Sequence, residues 1–199
     1  MAWFKRSEKN ILTDTPKQDL PDGMWTKCDE CGEMMHKKQW EPNSYTCIKC
    51  GYHFRIGSEE YFKILFDEGT FKEFDKKMKS VDTLKFTDTK PYDKRIEETI
   101  KKTELHDSIR WGTGEINKMP AVICAMDFSF IGGSMGSVLG EKIARAVDRC
   151  LKTKTPLIII SSSGGARMME GGISLMQLAK VSSRLAKLAE EKIAYISVI

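Results

Sequence analysis

Four of the six cysteines, Cys28, Cys31, Cys47 and Cys50, form two CxxC pairs with fifteen residues between them. Each pair turns two sulfurs toward one point and the linker lets the two knuckles face each other, which is the spacing of a four-thiolate zinc site. Four thiolates close the coordination sphere, so the ion implied is structural and has no position left for an activated water. A pair of redox dithiols is the alternative; it is disfavoured because neither CxxC follows a strand and opens a helix. His36 and His53 flank the cysteines and read as surface or supporting residues. Lys27, Lys37, Lys38, Lys49 and Arg55 make the segment basic, either as an ordinary solvated face or as a cover over anionic phosphates.

The other chemistry lies in two glycine-rich stretches, IGGSMGSVLGEK and SSSGGARMMEGG. The first lacks the GxGxxG spacing, and its lysine follows a glutamate instead of a glycine, so it is neither a dinucleotide fingerprint nor a P-loop. Ser161, Ser162 and Ser163 sit in no GxSxG elbow and the one downstream histidine, His106, precedes the sheet, which argues against a serine hydrolase. Gly164, Gly165 and Ala166 instead offer backbone. With no side chains at Gly164 and Gly165, their N–H groups can approach a developing oxyanion between a strand and a helix. A turn that needs positive φ angles accounts for the same pattern.

The elements that must position these loops follow from periodicity. Residues 1–23 read as a polar tail broken by prolines, 24–56 as the ribbon, and 57–199 as an α/β domain. Ser58, with Glu59 and Glu60, opens a helix whose apolar face is Tyr61, Ile64 and Leu65. Residues 71–90 read as a charged connector, and Pro91 opens a helix carrying Tyr92, Ile96 and Ile100. Residues 109–116 and 121–128 read as strands around a turn at 117–120. A helix with Ile143, Val147 and Leu151 on one face, a doubly buried strand at 157–161, a helix striped by Leu178, Val181, Leu185 and Leu188, and a buried strand at 193–199 complete the order. That order places functional groups on the loops of an α/β layer.

A net charge of +4 suits an anionic small molecule and falls short of a dedicated nucleic-acid binder. Apolar runs are too short for a bilayer, so a cytoplasmic setting is expected, where paired cysteines point to metal rather than disulfides.

MAWFKR, the four-cysteine ribbon, DFSFIGGSMGSVLGEKIARAV, SSSGGARMMEGGISLMQLAK and YISV together resemble the β subunits of bacterial and plastid acetyl-coenzyme A carboxylase carboxyltransferase. The resemblance implies a partial crotonase-like (ClpP/crotonase) fold behind an N-terminal zinc ribbon. It implies carboxyl transfer from carboxybiotin to acetyl-coenzyme A, giving malonyl-coenzyme A for fatty-acid biosynthesis. The implied partners are an α subunit in an α2β2 assembly, a biotin carboxyl carrier protein, and biotin carboxylase, where the complex uses ATP. One structural Zn2+, biotin on the carrier and acetyl-coenzyme A as substrate complete the expected chemistry.

On that resemblance Gly164, Gly165 and Ala166 form the oxyanion loop, and Gly132, Gly133 and Gly136 shape the turn near the coenzyme. Arg167 meets a phosphate or carboxylate, or else pairs internally with Glu170 or Glu141. Met168, Met169 and Met176 read as core filler, and Cys124 and Cys150 as inert thiols. The apolar finish at Ile199 suggests an unfinished crossover, with a second oxyanion donor expected beyond it. The rival from another class is a zinc ribbon gripping nucleic acid; a hydratase or isomerase leaves the ribbon unexplained and lacks a glutamate pair.

Overall fold

A computed structural model describes residues 24–199. The expected tail, residues 1–23, lies outside the described residues. The chain divides between Phe54 and Arg55 into two compact units.

The first unit pairs β1 (Trp25–Lys27) antiparallel to β2 (Met34–His36), followed by a single turn of helix, α1 (Lys37–Trp40). Its core is small: Cys28, Met35 and Cys47 are buried, with Cys31, Trp40, Tyr52 and Phe54 packed against them. So little apolar surface cannot offset the cost of ordering the chain, and such a unit needs a covalent or metal staple.

The second unit runs α2 (Ser58–Leu65), β3 (Lys72–Phe74), α3 (Tyr92–Thr103), β4 (Ile109–Ile116), β5 (Met119–Met126), α4 (Ser137–Thr153), β6 (Leu157–Ile160), α5 (Gly172–Glu190) and β7 (Tyr195–Val198). The five strands β3 to β7 form one sheet in sequence order. Pairing is antiparallel from β3 to β5 and parallel from β5 to β7. Alternation along β5 explains the two faces of the core. Val122, Cys124 and Met126 meet Leu139, Ile143 and Val147 of α4, while Ala121, Ile123 and Ala125 meet Phe62 and Phe66 of α2. A strand covered on both sides reads as a continuous apolar run, and truncating Ile123 to alanine costs about 2–5 kcal/mol.

The β4–β5 turn is two residues long, and both Asn117 and Lys118 have positive φ, 50° and 65°. This is the conformation that suits a tight hairpin. Asp67 fixes it, accepting the Asn117 N–H at 3.0 Å and the Lys118 N–H at 2.7 Å. The hairpin therefore begins β5 two residues earlier than the sequence reading placed it.

Three other expectations change. The charged connector contains β3, whose Phe74 stacks on Trp111 at 4.8 Å between ring centroids. The final strand is exposed, with Tyr195 at 43% and Ile196 at 49%, because β7 is the last in the sheet order and pairs with β6 alone. On α5, Leu188 is buried and Val181 and Leu185 lean on the core, but Leu178 is exposed, as are Met168 and Met176. Met169 is the one methionine of that group that fills core.

Candidate active site and metal centre

The two knuckles of the ribbon are the same turn built twice. Gly32 N–H donates to the Cys28 carbonyl and Gly51 N–H to the Cys47 carbonyl, both at 2.9 Å. Cys28 N–H and Cys47 N–H donate in turn to Glu33 and Tyr52 carbonyls at 2.8 and 2.7 Å. The four sulfurs lie within 4.8 Å of one another, and two of the separations are 3.7 Å. A tetrahedron with Zn–S bonds of about 2.3 Å has edges of about 3.8 Å, so the donor set fits zinc. Backbone N–H groups of Cys50 and Lys49 pull the Cys47 thiol down to about 6. Cys50 goes the other way, to about 12: the Tyr52 N–H favours its thiolate, but burial and the neighbouring sulfurs outweigh that. Four thiolates so close repel, and they ionise together only around a cation. His36 Nδ1 accepts the Lys38 N–H at 3.1 Å, which occupies it as a helix cap. Of the basic residues, Lys37 pairs with Glu41 and Lys49 with Glu33.

The two glycine loops follow β5 and β6, at the carboxyl ends of adjacent parallel strands, where open α/β sheets place their ligands. They are bonded to each other. Gly164 N–H donates to the Gly132 carbonyl at 2.9 Å, Met135 N–H to the Gly165 carbonyl at 2.9 Å, and Arg167 N–H to the Met135 carbonyl at 2.9 Å. Met135 thus brackets Ala166 in a one-residue parallel bridge. Gly133, at φ +64°, sits so close to the second loop that a Cβ would lie 2.1 Å from the Ser162 carbonyl oxygen. Gly165 N–H is taken by Ser163 Oγ at 3.0 Å. Of the three expected donors, only the Ala166 N–H has no partner among the described residues. The parallel bridge uses the groups on either side of Ala166, which leaves its own N–H directed away from Met135.

Arg167 is fully buried. Its Nη1 and Nη2 reach the two Asp107 carboxylate oxygens at 2.9 and 3.2 Å, and Nη1 also pairs with Glu170 at 3.3 Å. Nη2 donates to the Ser134 carbonyl at 2.8 Å and Nε to Ser134 Oγ at 3.1 Å. The reading of Arg167 as a coenzyme-phosphate ligand is therefore corrected: every donor is spent inside the protein. Its partners are Asp107, which the sequence did not suggest, and Glu170, which it did. Glu141 belongs elsewhere, bonded to Arg145 and Lys180.

Glu170 completes the cluster. Its Oε1 accepts the Tyr92 hydroxyl at 2.6 Å and its Oε2 accepts the Ser137 N–H, in the first turn of α4, at 2.6 Å. Burial opposes its charge, but these donors win and hold the carboxyl below its ordinary value. Burial also raises the Tyr92 phenol, which stays protonated as a donor. Gly136 admits the cluster, since a Cβ there would lie 2.6 Å from Glu170 Oε1 and 2.8 Å from Arg167 Nη1. Gly132 faces open space.

A polar cleft of about 350 Å³, lined by Glu59, Glu73, Arg110, Asp127 and Lys142, contains none of these loop residues. Its Arg110 is consumed by Glu59 and Glu73, and its Asp127 by Ser58 and Ser129. Cys124 and Cys150 are buried and burial raises both thiols, Cys150 to about 12. No helix among the described residues is long and apolar enough to cross a membrane.

Residues 59–199 match the carboxyl transferase domain and residues 25–50 the acetyl-CoA carboxylase zinc finger domain. Over its whole length the chain is 54% identical to the acetyl-coenzyme A carboxylase carboxyl transferase subunit beta of Chlorobium limicola, of which it spans 71%. It is 52% identical to the corresponding subunit of Pedobacter heparinus, again spanning 71% of that protein. Among solved structures it is similar to a transcarboxylase 12S with methylmalonyl-coenzyme A and methylmalonic acid bound, at TM-score 0.57 and 27% identity, over 68% of this chain and 24% of that one.

Proposed function

Because the chain belongs to the acetyl-coenzyme A carboxylase carboxyl transferase β subunits, we propose that its Ala166 N–H receives the thioester oxygen of acetyl-coenzyme A. The chain is the carboxyltransferase component of acetyl-CoA carboxylase, with a crotonase-like fold and a four-cysteine zinc ribbon. The reaction moves a carboxyl group onto the acetyl methyl and yields malonyl-coenzyme A.

Biotin on its carrier protein supplies the carboxyl group and a ring nitrogen able to take the methyl proton. The work left for this chain is electrostatic. As the methyl proton departs, negative charge gathers on the thioester oxygen, and a fixed backbone donor stabilises it by about 3 kcal/mol. Gly133 lets the first loop lie against the donor loop, Gly136 admits the Arg167 and Glu170 side chains beneath it, and Gly165 leaves open space beside the donor. No acid or base is required of the loop, which agrees with Arg167 and Glu170 being spent on each other. An α subunit presents the carrier opposite this face, in an α2β2 cytoplasmic assembly that biotin carboxylase supplies. One Zn2+ on Cys28, Cys31, Cys47 and Cys50 holds the ribbon and takes no part in the chemistry.

The free Ala166 N–H, fixed between partnered neighbours, carries this reading. Ala166→Pro removes that one hydrogen. In the assembled carboxyltransferase, malonyl-coenzyme A formation should fall about 100-fold or more, with KM for acetyl-coenzyme A little changed. The carbonyl stretch of bound 13C-acetyl-coenzyme A should lie below its free position in the parent protein and revert in the variant. Full turnover by a folded Ala166→Pro complex would overturn the assignment.

A further inference from the structure

We propose that Glu170 is a positioning residue for the reaction, acting with Arg167 to aim the Ala166 N–H at the thioester oxygen. The inference rests on the reading that Ala166 is the donor. Neither side chain touches substrate. Their effect runs through Met135, the residue that brackets Ala166.

Met135 is gripped on both sides from the opposite loop. One residue before it, Ser134 is held by the Arg167 guanidinium through its carbonyl at 2.8 Å and its hydroxyl at 3.1 Å. Two residues after it, the Ser137 N–H is held by Glu170 at 2.6 Å. Arg167 in turn directly follows Ala166, and its own N–H closes on the Met135 carbonyl at 2.9 Å. The result is a closed ring of bonds in which the two side chains fix one strand of the bridge and Ala166 sits in the other. Ala166's own N–H and carbonyl are the groups of the bridge that point away from Met135, and the N–H is the outward donor.

Charge explains why the ring stays shut. The guanidinium lies between two carboxylates, Asp107 and Glu170, and the surplus negative charge sits against the N-terminus of the 17-residue helix α4. The partial positive charge of that end favours a carboxylate there. Gly136 leaves no Cβ to wedge between the pair and the helix. Removing the negative charge would leave Ser137 N–H and Arg167 facing a neutral group, and the ring would relax at the point nearest Ala166. A displacement of about 1 Å at a reacting contact costs on the order of 100-fold in rate.

Glu170→Gln in the assembled carboxyltransferase tests this, because glutamine keeps the volume but turns an amide donor toward a donor already present. We expect kcat to fall about tenfold or more while KM for acetyl-coenzyme A stays within about twofold. The carbonyl band of bound 13C-acetyl-coenzyme A should move back toward its free position. Tyr92→Phe removes a single hydrogen bond from the same carboxylate and should move kcat and the band in the same direction by less; it serves if Glu170→Gln fails to fold. A lowered melting temperature with unchanged kcat and unchanged band in both variants would reduce Glu170 to a structural part and overturn the proposal. Ala166→Pro separates the two readings. If it abolishes turnover while Glu170→Gln keeps the parent kcat and band, positioning fails and the donor stands; if it leaves turnover intact, the donor reading fails first and the positioning proposal falls with it.

Discussion

The ribbon and the loop pair of the sheet unit solve one mechanical problem with opposite charges. Each must hold two backbone turns face to face. In the ribbon the turns contribute four sulfurs converging within 4.8 Å, an anionic centre that calls for a cation. In the sheet unit the cation is built in: Arg167 sits among Asp107, Glu170 and three serines. A metal can be withdrawn and a guanidinium cannot. The ribbon's order is therefore conditional on supply, whereas the glycine loops carry their own counter-charge and have a two-sided apolar core behind them.

Withdrawing each centre should separate the two cases. Cys28→Ser with Cys47→Ser, or chelation of the parent, should take zinc from one per chain to none. It should also abolish the ordered ribbon, because binding free energy of about 10–16 kcal/mol is folding free energy there. Atomic absorption and protease mapping would follow this, with new cleavage appearing within residues 24–54 and none in the sheet unit. Zinc retained in full by the double variant would break the comparison. Arg167→Met should be the next largest effect. It strands two buried carboxylates and should cost about 3–5 kcal/mol of stability, read as a lower urea midpoint of the sheet unit with zinc content unchanged.

Acid should distinguish the centres more gently. The Glu170 carboxyl is held below its ordinary value of 4.5 in the folded protein. A depressed folded value means that its contribution is complete above pH 4.5 and is lost as pH falls through the lower, folded value. Urea midpoints measured from pH 7 downward should show the parent exceeding Glu170→Gln at neutral pH, with the gap closing only as pH falls below the ordinary value of 4.5. A gap independent of pH would remove the carboxylate's charge from the account. The smallest effect belongs to a turn outside both centres. Lys118, exposed with φ at 65°, pays the left-handed penalty that glycine avoids, so Lys118→Gly should raise stability by up to about 1 kcal/mol.

Cysteine spacing made the metal site legible because the ligands are close in sequence and their chemistry is in their side chains. Strand β4 was legible from its alternation at residues 109–116, and so was the helix carrying Tyr92, Ile96 and Ile100. Strand β3 was hidden by its charges: within KEF only Phe74 announces a core contact, and Trp111, its partner, lies far along the chain. Asp107 was missed for a related reason. A buried arginine demands a carboxylate, but several were equally near in sequence and only the folded topology brings a residue sixty positions upstream to 2.9 Å. Singling out Ala166 was beyond the sequence altogether, since the availability of one N–H depends on where its neighbours' bonds go.

The sheet's change of direction at β5 has a consequence in time. The β4–β5 hairpin needs only the two-residue turn at Asn117 and Lys118 to close, an event of roughly microseconds. The pairings of β6 with β5 and of β7 with β6 must wait for α4 and α5 to form and pack as crossovers. Both glycine loops lie on those crossovers. Folding should therefore begin at the hairpin and reach the donor loop last, so that a chain slowed by mutations in α4 would accumulate a collapsed, hairpin-bearing species with no competence for the thioester.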